Sequence, residues 1–228
     1  MKTYNLKLTL QSPSLIGSGE GFGAVIDSDI VFDELGIPYI PAKRIKGCLR
    51  DSAIEVCEMF KQAEIKMFVL EEENSENKFK IVSRLFGKPG EEKPAQVYFS
   101  NLTIEGYEKI VQWMKYLMNE YQNIITRESI INQYTEIRQQ TAIDEETGTA
   151  QGHSLRTIRV AKKGTFFIGT IDIEEVNEDL IALLYFTCKN LRRMGTKRNR
   201  GFGSIECKLY ENSKEINFLA KLEELCMQ

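Results

Sequence analysis

Three stretches of this 228-residue chain hold no acidic residue: 42–50, 152–164 and 189–203. The first carries Lys43, Arg44, Lys46 and Arg50, and the second Arg156, Arg159, Lys162 and Lys163. The third carries Lys189, Arg192, Arg193, Lys197, Arg198 and Arg200. Together they hold 14 of the 30 lysines and arginines in 37 residues, which leaves 16 bases against 33 acids elsewhere. The net charge of −3 is thus a basic minority set on a remainder of −17. That balance excludes a uniformly basic nucleic-acid coat and a polybasic membrane binder, yet it fits discrete grooves for a polyanion. The competing reading is three unrelated solvated faces.

The third window is the most informative. Gly195-Thr-Lys-Arg-Asn-Arg-Gly-Phe-Gly203 places three bases in a glycine-bounded loop directly before a strand. Glycines let backbone N–H groups approach phosphates, and arginines add bidentate contacts. The Lys-Ser/Thr of a Walker A loop is missing, and a strand follows where a Rossmann unit needs a helix. Phe202 can stack on a base or anchor the loop in the core; the anchor is the expected role. In the first window, positive charge at the start of a helix opposes the macrodipole, which a bound anion would explain.

Other chemistries drop out. There is one histidine, His153, so a His-rich metal centre and a histidine pair are excluded. The five cysteines (48, 57, 188, 207 and 226) are scattered and read as reduced cytosolic thiols. No apolar run approaches the roughly 20 residues of a membrane span. The start, MKTYNLKLTLQSPS, lacks a signal-peptide pattern, and a cytoplasmic location is expected.

The elements that must position these residues follow from periodicity. TYNLKLTL (3–10) alternates as a half-buried strand, and Gly17–Gly23 must be a loop. AVIDSDIVFD (24–33) has strand composition and carries Asp27, Asp29 and Asp33. A helix over about 42–62 has Ile45, Leu49, Ala53, Val56 and Phe60 on one face. Residues 71–80 and 87–96 read as loops, with a short element between them and a strand over 97–104. In a helix over 105–121, the stripe Ile110, Trp113, Met114 and Leu117 is expected in the core. Residues 128–170 read as a long hairpin or an inserted subdomain, with hairpin arms near 134–143 and 154–160 and a polar tip bearing His153. A second helix is expected over 177–194, then a strand (SIECKLYE) and a C-terminal helix from about 213. The chain reads as one α+β domain over 1–228, with an insertion at about 128–163.

Four segments in this order, SGEGFGAVIDSDIVFD, GIPYIPAKRIKGCLRDSA, SRLFG and RRMGTKRNRGFGSIECKL, resemble the RAMP superfamily of CRISPR-associated proteins. The similarity is to the crRNA-binding backbone subunit of type III effector complexes, and it spans residues 17–210. It implies a ferredoxin-like (RRM-like) βαββαβ core with an inserted β-hairpin thumb. Lys46-Gly47 matches the family's Lys-Gly at the helix start, and Arg200 with Gly201-Phe202-Gly203 matches its RGxG loop. By the resemblance these two regions hold guide RNA, with the thumb interrupting the guide–target duplex. It assigns target cleavage by 2′-OH attack to Asp27, in Val25-Ile26-Asp27-Ser28, with a divalent ion (Mg or Mn) as cofactor. The implied partners are crRNA, complementary target RNA, other effector subunits and further copies along the RNA, with no membrane. Asp29 stands where the family has a small residue or Pro, and Ala42-Lys43-Arg44-Ile45 replaces its Gly-Ser-Ser-Leu. Asp29 and Asp33 are expected to face solvent or to shape turns, and His153 to touch RNA or stand exposed. Two alternatives stay open: a purely structural crRNA-binding subunit, and a stand-alone crRNA-processing endoribonuclease.

Overall fold

The computed structural model describes residues 1–17, 25–74, 78–88, 97–175 and 177–227. The glycine-rich run 18–23 and most of the loop expected over 87–96 therefore lie outside the described residues. In chain order the elements are β1 (Lys2–Leu10), α1 (Ala42–Gln62), α2 (Lys80–Phe86), β2 (Val97–Phe99) and β3 (Thr103–Ile104). Next come α3 (Tyr107–Glu120), α4 (Arg127–Tyr134), β4 (Thr135–Gln140), β5 (Arg156–Ala161) and β6 (Phe166–Ile173). The chain closes with α5 (Glu178–Asn190), β7 (Ile205–Glu211), β8 (Lys214–Glu215) and α6 (Leu219–Cys226).

The period-2 pattern in β1 turns Tyr4, Leu6, Leu8 and Leu10 to one face, where all four are buried. β6 and β7 flank β1 antiparallel and bury Phe167, Ile171 and Ile173, and Ile205, Cys207 and Leu209, on that same core. The main sheet runs β2-β6-β1-β7-β8, with β3 also on β6. The two β–α–β passages, β1–α1–β2 and β6–α5–β7, interleave in that order, which is the connectivity of a βαββαβ core. The protein is of the α+β class.

α1 presents Ile45, Leu49, Ala53, Val56, Cys57 and Phe60 to the core. Each full burial of such an aliphatic or aromatic side chain contributes about 1.5–3 kcal/mol. α1 packs on α5, whose apolar residues are buried nearly all round, and Phe60 meets Phe186 edge-on. α5 starts at an Asn177 cap whose side chain accepts from the Asp179 N–H at 2.8 Å.

Several expectations are corrected here. Residues 25–33 form isolated bridges instead of a strand, because three acids and a turn at 34–36 break the ladder. Residues 97–104 split into β2 and β3, and both pair with β6; Gly169 sits beneath the break, where a Cβ would lie 2.4 Å from Leu102. The stripe on α3 is not core: no α3 residue is fully buried and Trp113 is 63% exposed, since this helix covers the domain only through partly buried residues such as Ile110 and Met114. The second helix ends at Asn190, and the C-terminal helix begins at Leu219, after the β7–β8 turn. The hairpin is present, but residues 127–134 form α4, so its paired arms are 135–140 and 156–161.

Candidate functional site

A cleft of ≈ 380 Å³ is lined by Leu15, Gly17, Asp27, Ser28, Asp29, Arg44, Cys48, Gly195 and Thr196. Its walls come from four places distant in sequence: the chain after β1, the acid segment 25–30, the first turns of α1, and the glycine loop 195–203. The hairpin base supports the acid segment from behind.

The acid segment lies along β5 in a constant register. Asp27 N–H donates to the Thr157 carbonyl at 2.8 Å, and Asp27 Oδ2 accepts from Thr157 N–H at 2.7 Å. Ser28 bridges Ile158 in parallel, and Arg159 N–H donates to the Ser28 carbonyl at 3.0 Å. One step further, Asp29 Oδ2 accepts from Arg159 Nη1 at 2.9 Å, and Asp29 Oδ1 from Ile30 N–H at 2.8 Å. Asp29 is 7% exposed and Arg159 4%. Asp29 is therefore a buried structural acid, not a solvent-facing one. Asp27 itself stands exposed in the cleft, and its carboxylate has no other hydrogen-bond partner among the described residues. Asp33 is a turn residue: Oδ1 accepts from Leu35 and Ile37 N–H, and Oδ2 from the Tyr107 hydroxyl.

The glycine loop is fixed where it crosses other backbone. Gly195 and Gly203 have φ of 95° and 75°, and a Cβ would lie 2.5 Å from the Leu15 carbonyl and 2.2 Å from that of Met194. Only glycine fits both places. Between them Arg198–Arg200 make one 3-10 turn, with Gly201 (φ 80°) in open space. Phe202 is half-buried against the core, the anchoring role expected of it.

The first and third windows contribute to the lining of this cleft, and the second stands behind it through Thr157. Arg44 lines it and donates to the Gly17 carbonyl. Cys48 lies near enough to Arg198 and Arg44 for their charges to act on its thiol, but burial, with Asp51 adding, leaves that thiol raised above its ordinary value. It is not an activated nucleophile. Lys197 Nζ donates to Gln140 Oε1 at 2.6 Å, tying the loop to the hairpin. Its amine is held below the ordinary lysine value by burial, then by Arg200 and Arg156, with Asp27 opposing. Lys46 is half-buried and also lowered, by burial and then by Arg50. Arg50 reaches Asp51 at 3.6 Å, and its Nε has no hydrogen-bond partner among the described residues. Lys43, Arg156, Lys163, Arg192, Arg193, Arg198 and Arg200 are exposed, with Arg193 Nη1 bonded to the Arg198 carbonyl.

Two candidate contacts are occupied inside the protein. Arg159 gives Nη1 to Asp29 and Nη2 to Glu128, at 3.1 Å, so its guanidinium is turned inward. Lys162 Nζ donates to the Asn132 and Gln133 carbonyls at 2.9 and 2.7 Å, closing the last turn of α4. His153 stands exposed near the hairpin tip (φ 58°) and does not line the cleft. The contributions of Thr157 and Gln140 were not visible in the sequence. Pairing 135–140 with 156–161 puts Gln140 opposite Arg156, but only the fold brings Lys197 there.

Among the described residues no group of three His, Cys, Asp or Glu side chains is placed to hold a metal ion. Asp27 offers one carboxylate, engaged at one oxygen and set among cationic side chains. These residues do not fit a divalent-cation site held by protein ligands. No helix among the described residues is long and apolar enough to cross a membrane.

The chain is thus an α+β protein whose cleft is lined by the acid segment, the start of α1 and the glycine loop, with Arg198 nearby and the hairpin base behind. The model of the RAMP superfamily matches residues 7–206, and the chain belongs to that family. Among solved structures it is similar to a chain of the cryo-EM structure of the type III-B Cmr-beta complex in the apo state. That likeness has a TM-score of 0.64 and 12% identity, covering 93% of this chain and 98% of the other. It is similar too to a chain of type III-B Cmr-beta bound to cognate target RNA, with a TM-score of 0.63, 12% identity and 99% of each chain covered. A search of the curated proteins finds no match.

Proposed function

We propose that this chain is a backbone subunit of a type III CRISPR effector complex. In this reading it holds crRNA by its phosphates and cuts bound target RNA by 2′-OH attack at Asp27. The observation that carries this reading is one cleft that holds the exposed Asp27 carboxylate and Arg44, with Arg198 of the glycine loop close by and the second window behind it through Thr157. Family membership and the likeness to chains of Cmr-beta complexes support it. Arg44, Lys46, Arg198 and Arg200 with the glycine loop present charge and backbone N–H groups to phosphate, whose recognition is sequence-independent. Asp27, clipped by Thr157, is placed to accept the 2′-OH proton. A stand-alone crRNA-processing enzyme using His153 is disfavoured, because that side chain does not line the cleft.

Arg198→Ala and Lys46→Ala should each weaken guide binding equally for different guide sequences. Each should also lower the slope of log affinity against log salt by about 0.7–0.9. Binding by filter or anisotropy at several salt concentrations checks this, and a sequence-dependent loss argues against backbone recognition. The assembled particle, given labelled complementary RNA, should cut at even intervals; binding without cutting would leave the purely structural subunit.

Gly47 gives a second expectation. It sits within α1, yet a Cβ there would meet nothing within 4 Å. Glycine in a helix costs about 1 kcal/mol relative to alanine, and no contact among the described residues requires it. Close approach of an RNA backbone does. Gly47→Ala should therefore raise stability to urea by about 0.5–1 kcal/mol while weakening guide binding.

A further inference from the structure

The cleft that holds Asp27 also holds Arg44. The two come from different elements, Asp27 from the acid segment clipped to β5 and Arg44 from the first turn of α1. Arg44 is half-buried, and its Nη1 donates to the carbonyl of Gly17, another residue of the lining. That bond uses one of the five N–H donors of a guanidinium and helps to orient the planar fork that carries the rest. Carboxylates are scarce around it. Asp29 also lines the cleft, but it is 7% exposed, and its oxygens accept from Arg159 Nη1 at 2.9 Å and the Ile30 N–H at 2.8 Å. Its charge is answered from inside the chain, so Asp27 is the one exposed carboxylate among the described lining residues. The resemblance implies a divalent ion beside Asp27. An ion there would draw on one carboxylate, with Oδ2 already accepting from the Thr157 N–H, where Mg²⁺ wants a full octahedron of oxygens. It would also share the cleft with a positive charge that the chain itself supplies.

We propose that Arg44 takes the place of that ion: its guanidinium binds the non-bridging oxygens of the target's scissile phosphate, and cutting at Asp27 proceeds without a divalent cation. This rests on the cleavage reading above. The 2′-oxygen attacks phosphorus and the P–O5′ bond breaks, leaving a 2′,3′-cyclic phosphate and a 5′-hydroxyl end. The 2′-OH proton goes to the Asp27 carboxylate, and water protonates the departing 5′-oxygen; Asp27 then returns its proton to solvent. Negative charge gathers on the non-bridging oxygens during attack, and a guanidinium fork already aimed there stabilises it without reorganising. Arg44 is thereby assigned to the target's cleaved phosphate instead of to the guide.

The test uses the ribonucleoprotein assembled on its guide RNA, in Mg²⁺ and in excess EDTA, with a labelled complementary target. The unsubstituted particle should cut in EDTA within about tenfold of its rate in Mg²⁺. Arg44→Met should cut about 10²–10³-fold slower in both buffers, with target affinity lowered less than about tenfold. Arg44→Lys keeps the charge but not the fork, and its rate should fall between the two. A target with sulfur in place of a non-bridging oxygen at a cut position reads the contact separately. An ion on that oxygen shows as slow cutting in Mg²⁺ that Mn²⁺ restores, whereas a guanidinium gives no such rescue. Loss of cutting in EDTA, or rescue of the sulfur target by Mn²⁺, overturns the proposal. So does an Arg44→Met rate equal to that of the unsubstituted particle, and so does a loss of cutting matched by an equal loss of target affinity, which makes Arg44 a binding residue only. An unsubstituted particle that binds target but cuts in neither buffer removes the cleavage reading, and this proposal with it.

Discussion

An Asp27→Asn chain assembled with guide RNA is expected to bind complementary RNA normally and to cut it slower by a factor on the order of 10²–10⁴. The choice of asparagine separates two roles that Asp27 plays at once. Its Oδ2 accepts from the Thr157 N–H at 2.7 Å, and its own N–H donates to the Thr157 carbonyl at 2.8 Å. Asparagine keeps an oxygen for the first bond and leaves the second untouched, so the acid segment stays on β5. What it removes is the capacity to accept a proton. Alanine removes the side-chain bond as well, and a hydrogen bond to a charged group contributes about 1.5–3 kcal/mol. Asp27→Ala should thus be the less stable of the two while being no slower. Cutting of a labelled target, set beside urea denaturation of each variant, reads both quantities. If Asn cuts at the original rate while Ala does not, Asp27 serves only to clip the loop to the hairpin.

The sequence was most legible where periodicity and charge act locally. The face of α1 follows from 3.6-residue spacing, and the buried side of β1 from alternation. The acid-free windows were visible as stretches of chain, because charge density can be counted without knowing the fold. Their meeting was not visible, since contact between Lys197 and Gln140 depends on a hairpin inserted 57 residues away. The same limit hid Arg159. In sequence it is one of four bases in a basic window, and only the parallel register of 27–29 on 157–159 turns it inward onto Asp29. The bonds of Lys162 are hidden for a related reason: it closes a helix that ends just before the hairpin begins. The error over Trp113 is of another kind. An amphipathic pattern states which face of a helix is apolar, not whether anything in the same chain covers it.

Replacing Arg159 with methionine is expected to destabilise the chain by about 3–5 kcal/mol, although the site is a basic position in an RNA-binding window. Arg159 is 4% exposed and its guanidinium pairs with Asp29, itself 7% exposed. Methionine fills much of the arginine's volume, so packing loss is small and the penalty comes from a buried carboxylate deprived of its cation. The second partner, Glu128, has a half-exposed side chain and adds little, because water screens it. Neutralising both ends should therefore recover stability. Arg159→Met with Asp29→Asn should unfold at higher urea than Arg159→Met alone, since no uncompensated charge is left inside. Urea titration of the two single variants and the double completes the cycle, and a single-variant loss below about 1 kcal/mol would mean that solvent reaches the pair. The ion pair anchors the segment that carries Asp27, so loss of cutting in Arg159→Met should follow loss of structure. Restoring the fold with Asp29→Asn should bring cutting back in step, which no direct contact between Arg159 and RNA would allow.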